Sequence, residues 1–215
     1  MSQRIILADD HPVVLTGIRL TLNCAFCDAI IISEARSTDE LIQLLKHHPC
    51  DLLITDFSMP DGKIPDGIRL ISYIRRHFPR TKIIIITMVN NPLILSNLLK
   101  LGVSGLFDKR QPLEQLIQAI TRTNMGSTYI SETFSGIQNP LSHDNNPHLP
   151  LSLCELEVVR LISQNYSGRD IAKVLNRSEK TISRHKRAAM QKLGIRYVSD
   201  LASYVQNNGL GNVQP

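Results

Sequence analysis

Five residues spread over the first half of the chain, Asp9, Asp10, Asp56, Thr87 and Lys109, are of the types that phosphoryl transfer to a carboxylate needs. Asp9 and Asp10 follow the apolar run 5–8, Asp56 follows 52–55, Thr87 closes 83–87 and Lys109 follows 105–108. If those β-branched runs are strands of one parallel sheet, all five residues stand at its carboxyl rim, where ligands of such sheets bind. Three carboxylates on one rim repel one another unless a hard cation sits among them, and Mg²⁺ accepts carboxylate, carbonyl and phosphoryl oxygens. Asp9, Asp10, Asp56 and the Ser58 backbone carbonyl are therefore the candidate Mg²⁺ ligands. Asp56 is the candidate nucleophile and phosphoacceptor. Lys109 is placed to neutralise phosphoryl oxygens, and Thr87 to hydrogen-bond the new group.

The elements that must position these residues follow from hydrophobic periodicity. Runs 5–8, 29–33, 52–55, 83–87 and 105–108 read as five strands, and 13–22, 38–47, 67–77, 92–101 and 112–123 read as helices. The second helix opens on a Ser37-x-x-Glu40 capping box. Strict strand-helix alternation with nearly continuous apolar strands predicts an α/β fold, a doubly wound five-stranded parallel sheet covered on both faces.

Asp9-Asp10-His11-Pro12, Thr55-Asp56-x-Ser58-Met59-Pro60, Asp66-Gly67, Thr87 and Lys109 together resemble the receiver domain of bacterial response regulators. The resemblance spans the whole first domain, 1–124, and implies that a histidine kinase or phosphotransfer protein supplies phosphate to Asp56. The chain departs from the family in three places. Lys109-Arg110 stands where many receivers have Lys-Pro, and Leu106 stands at the position, three before the lysine, that is usually aromatic. Between Pro60 and Asp66 lie five residues, 61–65, where the family usually has two. An aspartyl-phosphate phosphatase of the haloacid-dehalogenase kind would need a second Asp two residues after the nucleophile, where this chain has Ser58. The reading is accordingly a regulator and not an enzyme.

Around 131–150 periodicity dissolves into an Asn-, Pro-, Ser- and His-rich stretch, and 125–147 is taken as a linker. Beyond it, 148–215 shows four short helical patterns at 152–164, 168–175, 180–193 and 199–206. From Arg4 to Arg122 the chain has 14 Lys+Arg against 12 Asp+Glu, and from His148 onward 10 against 5. Such a basic module points to a polyanion partner.

Within the third pattern Lys180, Arg184, Arg187 and Gln191 recur at helical spacing on one face, and Ile182, Ala189, Met190 and Leu193 on another. The segments 151–155, 167–172, 178–185 and 192–194 resemble the LuxR-type helix-turn-helix, which makes the second domain a small all-α unit and the whole chain similar to NarL/FixJ response regulators. That resemblance implies double-stranded DNA as partner. Ser183, Arg184 and Arg187 are assigned to base edges; Lys180, Thr181 and Lys186 to the phosphate backbone. It also implies a dimer, a homodimer or a heterodimer with an auxiliary regulator, for which Val198, Leu201 and Val205 on the last helix are the candidate seam.

No apolar run approaches the roughly 18 residues of a membrane span, and two acids stand in 1–10 where a signal peptide would be apolar. No membrane association and a cytoplasmic location are expected. Cysteines at 24, 27, 50 and 154 have no framework spacing, so reduced thiols are expected, and the 24/27 pair, with no second ligand pair nearby, is not read as a metal site. DNA binding without phosphate, controlled by a partner protein, is the alternative reading that Leu106 and Arg110 keep open.

Overall fold

The protein is described from a computed structural model that covers residues 3–26, 29–59, 63–134 and 151–207. It divides into two compact units, one α/β and one helical. The α/β unit alternates β1 (Gln3–Ala8), α1 (Pro12–Ala25), β2 (Ala29–Ala35), α2 (Thr38–His47), β3 (Leu52–Asp56), α3 (Gly67–His77), β4 (Lys82–Thr87), α4 (Pro92–Lys100), β5 (Gly105–Asp108), α5 (Glu114–Asn124) and β6 (Tyr129–Ile130). All strand pairs are parallel, in the order β2-β1-β3-β4-β5-β6. The chain leaves β1 for β2 and returns across it to β3, so the order reverses at β1 and opens a crevice at the carboxyl ends of β1 and β3.

Because side chains alternate across a strand, each strand feeds two cores. Ile5, Leu7, Ile54, Ile84, Ile86 and Phe107 pack against Leu15, Ile18 and Leu22 of α1 and Leu116 and Ile120 of α5. Ile6, Leu53, Ile83 and Ile85 are equally buried and occupy the alternate positions. This double burial is why the strands read as unbroken apolar runs. Helix ends follow local chemistry: Ser37 Oγ accepts from Glu40 N, and α2 carries Asp39 and Glu40 in its first turn and Lys46 and His47 in its last, which suits the helix dipole.

The sheet has six strands where five were expected. Tyr129–Ile130 is only two residues long, too short to show a period, and is held by its partners: Tyr129 N donates to Ser104 O at 3.1 Å, and its ring lies 6.4 Å from that of Phe107. Packed structure thus runs past Asn124 to Phe134, which is buried; the rest of the expected linker, 135–147, lies outside the described residues. So do Cys27 and residues 60–62.

The helical unit comprises α6 (Leu153–Ser163), α7 (Gly168–Val174), α8 (Glu179–Leu193) and α9 (Ser199–Asn207). Its core joins Val158 and Leu161 of α6, Ile171 and Ala172 of α7, Leu175 just after α7, and Ile182 of α8. Glu155 secures two elements at once. Its Oε2 accepts from the Ser152 N–H at 2.7 Å, completing a capping box, and from Lys192 Nζ at 2.8 Å, which ties the last turn of α8 to the first of α6. No helix among the described residues is long and apolar enough to cross a membrane.

Candidate functional site

The topology brings all five expected residues to the crevice and its rim. Asp9 follows β1, Asp56 ends β3, Thr87 ends β4 and Lys109 follows β5; the first three are fully buried. Asp10 is half-buried beside them. Lys109 Nζ stands 2.7 Å from Asp9 Oδ2 and 2.7 Å from Asp56 Oδ2. Its own turn is fixed by the backbone, since Lys109 N donates to Thr87 O at 3.0 Å. Thr87 follows Ile86, the residue paired with Asp56 across the sheet, and so stands at the same carboxyl rim.

Ligating atoms of Asp9, Asp10, His11 and Asp56 all lie within 4.8 Å of one another. His11 Nδ1 is 2.7 Å from Asp10 Oδ1 and 3.2 Å from Asp9 Oδ1. Burial pushes the Asp56 carboxyl up to about 7; Lys109 opposes that rise and Asp9 adds to it. Burial likewise raises Asp10, against the pull of His11. Burial works against the charge of Lys109, but Asp56 and then Asp9 outweigh it and raise its pKa. Asp56 Oδ1 is buried with no hydrogen-bond partner. Three carboxylates against one ammonium leave the pocket short of positive charge, and an orphaned buried carboxylate oxygen is costly without a cation or a bond. The donor set is all oxygen apart from His11, which suits a hard divalent cation.

The β3–α3 segment is set by Asp66. Its Oδ2 accepts from Met59 N at 3.0 Å and from Ser58 Oγ at 3.2 Å. Gly67, with φ of 66°, then turns the chain into α3 while its N–H donates to Phe57 O at 3.0 Å; that left-handed conformation favours glycine.

In the helical unit, α7 and α8 form two helices joined by a short turn, with Ser178 capping α8 through a 3.1 Å bond from Thr181 N. Lys180, Arg184, Arg187 and Gln191 are exposed on one stripe, and with Thr181 and Ala188 they line a shallow surface hollow.

Residues 5–121 match the response regulator receiver domain, and residues 149–205 match the LuxR family of bacterial regulatory proteins. The chain belongs to the response regulators. The transcriptional regulatory protein RcsB of Salmonella typhi is 40% identical over 206 residues, covering 96% of this chain and 95% of RcsB. The oxygen regulatory protein NreC of Staphylococcus epidermidis is 36% identical over 211 residues, 94% of this chain and 95% of NreC. RcsB from Salmonella enterica serovar Typhimurium, solved bound to promoter P1flhDC in the presence of the phosphomimetic BeF3−, matches with a TM-score of 0.81 at 39% identity, over 96% of this chain and 100% of that one. In sequence, the longer β3–α3 segment and residues 73–79 and 87–92 are similar to RcsB within the response regulators; residues 60–62 lie outside the described residues.

In this response regulator the sequence reading missed His11 as a neighbour of the acids, although it directly follows Asp10. It also missed the bonds that Asp66 makes, because they run to a backbone N–H and to Ser58. On α8, Thr181 and Ser178 share a hydrogen bond between their hydroxyls at 2.9 Å, Ser183 and Lys186 are half-buried at the stripe's flanks, and Arg187 Nε donates to Ser183 O at 3.3 Å. The expected dimer seam needs correction. Leu201 and Val205 are 0% and 1% exposed, on a helix that packs against α6. They complete the unit's own core. Of the three, Val198 alone is exposed, next to exposed Tyr197.

Proposed function

We propose that this response regulator is a DNA-binding transcription regulator switched by phosphorylation of Asp56. One observation carries the reading: a fully buried Asp56 whose Oδ2 is held by Lys109 while Oδ1 has no hydrogen-bond partner, inside a cluster of ligating groups. Asp56 Oδ1 attacks phosphorus, the bond from phosphorus to the donor's leaving atom breaks, and the leaving group departs with the bonding electron pair. Lys109 opposes the burial that disfavours the ionised carboxylate and would neutralise charge on the phosphoryl oxygens. The Thr87 hydroxyl donates a hydrogen bond to the new phosphoryl group. Asp9, Asp10, Asp56 and the Ser58 carbonyl would hold Mg²⁺, which supplies the remaining positive charge when bound. Asp66, by fastening Ser58 and Met59, sets the direction of that loop.

The donor is a histidine kinase or a phosphotransfer protein, the location the cytoplasm, and the target double-stranded DNA. RcsB was solved bound to promoter DNA, and the exposed stripe of Lys180, Arg184 and Arg187 offers this chain the same kind of contact. In this reading Ser183, Arg184 and Arg187 face base edges, and Lys180, Thr181 and Lys186 face phosphates. Two copies bind as a homodimer, or as a heterodimer with an auxiliary regulator. The test is Mg²⁺-dependent incorporation of phosphate from a small phosphodonor. Wild type should label; Asp56→Ala, folded as judged by circular dichroism, should not. Equal labelling of both would remove Asp56 from the mechanism.

A second reading, DNA binding independent of phosphate, draws on Leu106, which is fully buried on β5 opposite Ile130 and has no aromatic ring to swing. DNA affinity of Asp56→Ala equal to that of phosphorylated wild type would favour it.

A further inference from the structure

Asp108, the last residue of β5, is a fully buried carboxylate that the proposed transfer does not use. Its Oδ1 accepts from Arg110 N at 3.0 Å and Arg110 Nε at 2.8 Å; its Oδ2 accepts from Arg110 Nη2 at 2.6 Å and from Thr133 Oγ1 at 2.7 Å. Its own N–H donates to Ser131 Oγ at 3.0 Å. Burial works against its charge, but hydrogen bonds from Arg110 and then Thr133 outweigh it and keep the carboxyl below its ordinary range. Asp108 is therefore an ionised group, satisfied on one side by the turn that carries Lys109 and on the other by a stretch 23 to 25 residues further along the chain.

That stretch is well anchored. Ser131 N donates to Leu106 O at 3.0 Å, Phe134 N donates to Ser131 O at 2.8 Å, and Phe134 is buried. In sequence, residues 131–134 are the last described before the segment leading to the helical unit. Lys109, one residue from Asp108, is the group that contacts Asp56. A new charge on Asp56 pulls on Lys109 Nζ. Because Lys109 N is tied to Thr87 O and Arg110 is forked onto Asp108, any displacement of the turn bears on the Asp108–Thr133 bond. We infer that Asp108 is a positioning residue that fastens the Lys109 turn to residues 131–134, so that phosphate at Asp56 is transmitted to the stretch by which the chain leaves its receiver. The inference rests on the phosphoacceptor reading of Asp56.

The experiment uses the full chain, Mg²⁺ and BeF3− as the phosphoryl mimic, and hydrogen exchange of a peptide covering 128–134. In wild type, loading should change exchange across 131–134 at least twofold. Thr133→Val, which removes only the hydroxyl, should still bind BeF3−, read as a thermal shift that Asp56→Ala lacks, yet lose the change at 131–134. Thr133→Ser, which restores the hydroxyl, should restore it, a rescue that a purely packing role would not produce. Arg110→Gln, which removes the fork from the other side, should behave as Thr133→Val does. A full response in both Thr133→Val and Arg110→Gln, or loaded wild type with no change at 131–134, would overturn the inference while leaving the phosphoacceptor reading in place. A wild type that shows no BeF3−-dependent thermal shift would remove both together.

Discussion

Asp56 is held in a state that costs the fold something at neutral pH, and the cost has a definite sign. An unfolded Asp titrates near 3.9, whereas burial moves Asp56 up to about 7. Between those values the folded chain binds more protons than the unfolded one, so this residue's contribution is fully present below about pH 4 and is lost as pH rises through about 7. Asp56→Asn keeps the shape and removes the charge. In urea unfolding with EDTA it should be more stable than wild type by about 1–3 kcal/mol at pH 8, less than an unpaired buried charge would give because Lys109 shares the site. At pH 4.5 the difference should shrink toward zero, and at pH 8 millimolar Mg²⁺ should close it by binding the folded wild type. An equal difference at both pH values would mean that Asp56 is not the group titrating. Asp9, Asp10, Asp56, Thr87 and Lys109 were legible in sequence because strand ends in a parallel sheet share one edge, so position along an apolar run was enough. Asp66 and Asp108 were not, since their bonds go to a loop N–H and to residues in a different part of the chain, and nothing periodic announces such partners.

At the level of elements, legibility followed the length of the repeating signal. The Ile-rich strands and the amphipathic helices were visible, whereas β6 is two residues held by Ser104, Leu106 and the Phe107 ring. On α9 an apolar stripe was visible but its occupant was not: α6 covers Leu201 and Val205, and a stripe reads the same whether its own unit or a second copy buries it. Helix α8 is the case where two faces were separable, because Ile182, Ala189 and Leu193 are buried while Lys180, Arg184, Arg187 and Gln191 are exposed. If Lys180 near the amino end of α8 contacts phosphate, Lys180→Ala should weaken all duplexes alike and lower the log-log salt slope by about 1. Arg184→Ala should cost about 1–3 kcal/mol on the cognate duplex and relax preference at one base position. Titrations on cognate and scrambled duplexes at several salt concentrations separate the two. Equal loss on both duplexes for Arg184→Ala would leave α8 gripping only the backbone.

For the whole molecule, the two units have their own cores and opposite demands on charge: the receiver gathers carboxylates in one crevice, and the helical unit has 10 bases against 5 acids from residue 148 onward. A phosphoryl group adds about −1.5 to −2 charge in the first and must be read by the second, so the link between them is a coupling free energy, about 1–3 kcal/mol for such switches. That corresponds to a change in DNA affinity of roughly 5- to 150-fold, and the same factor governs how DNA changes affinity for a phosphoryl mimic. Thr87 is the rim residue whose removal should uncouple the two without blocking loading, because in the proposed mechanism it ligates neither the cation nor the donor and hydrogen-bonds the group once it is there. With Thr87→Ala, Mg²⁺-dependent BeF3− binding should persist within a few-fold of wild type. The ratio of DNA affinities with and without BeF3− should fall toward 1, and DNA should no longer tighten BeF3− binding. A Thr87→Ala variant that keeps the wild-type ratio in both titrations would show that the signal leaves Asp56 through Lys109 and its turn alone.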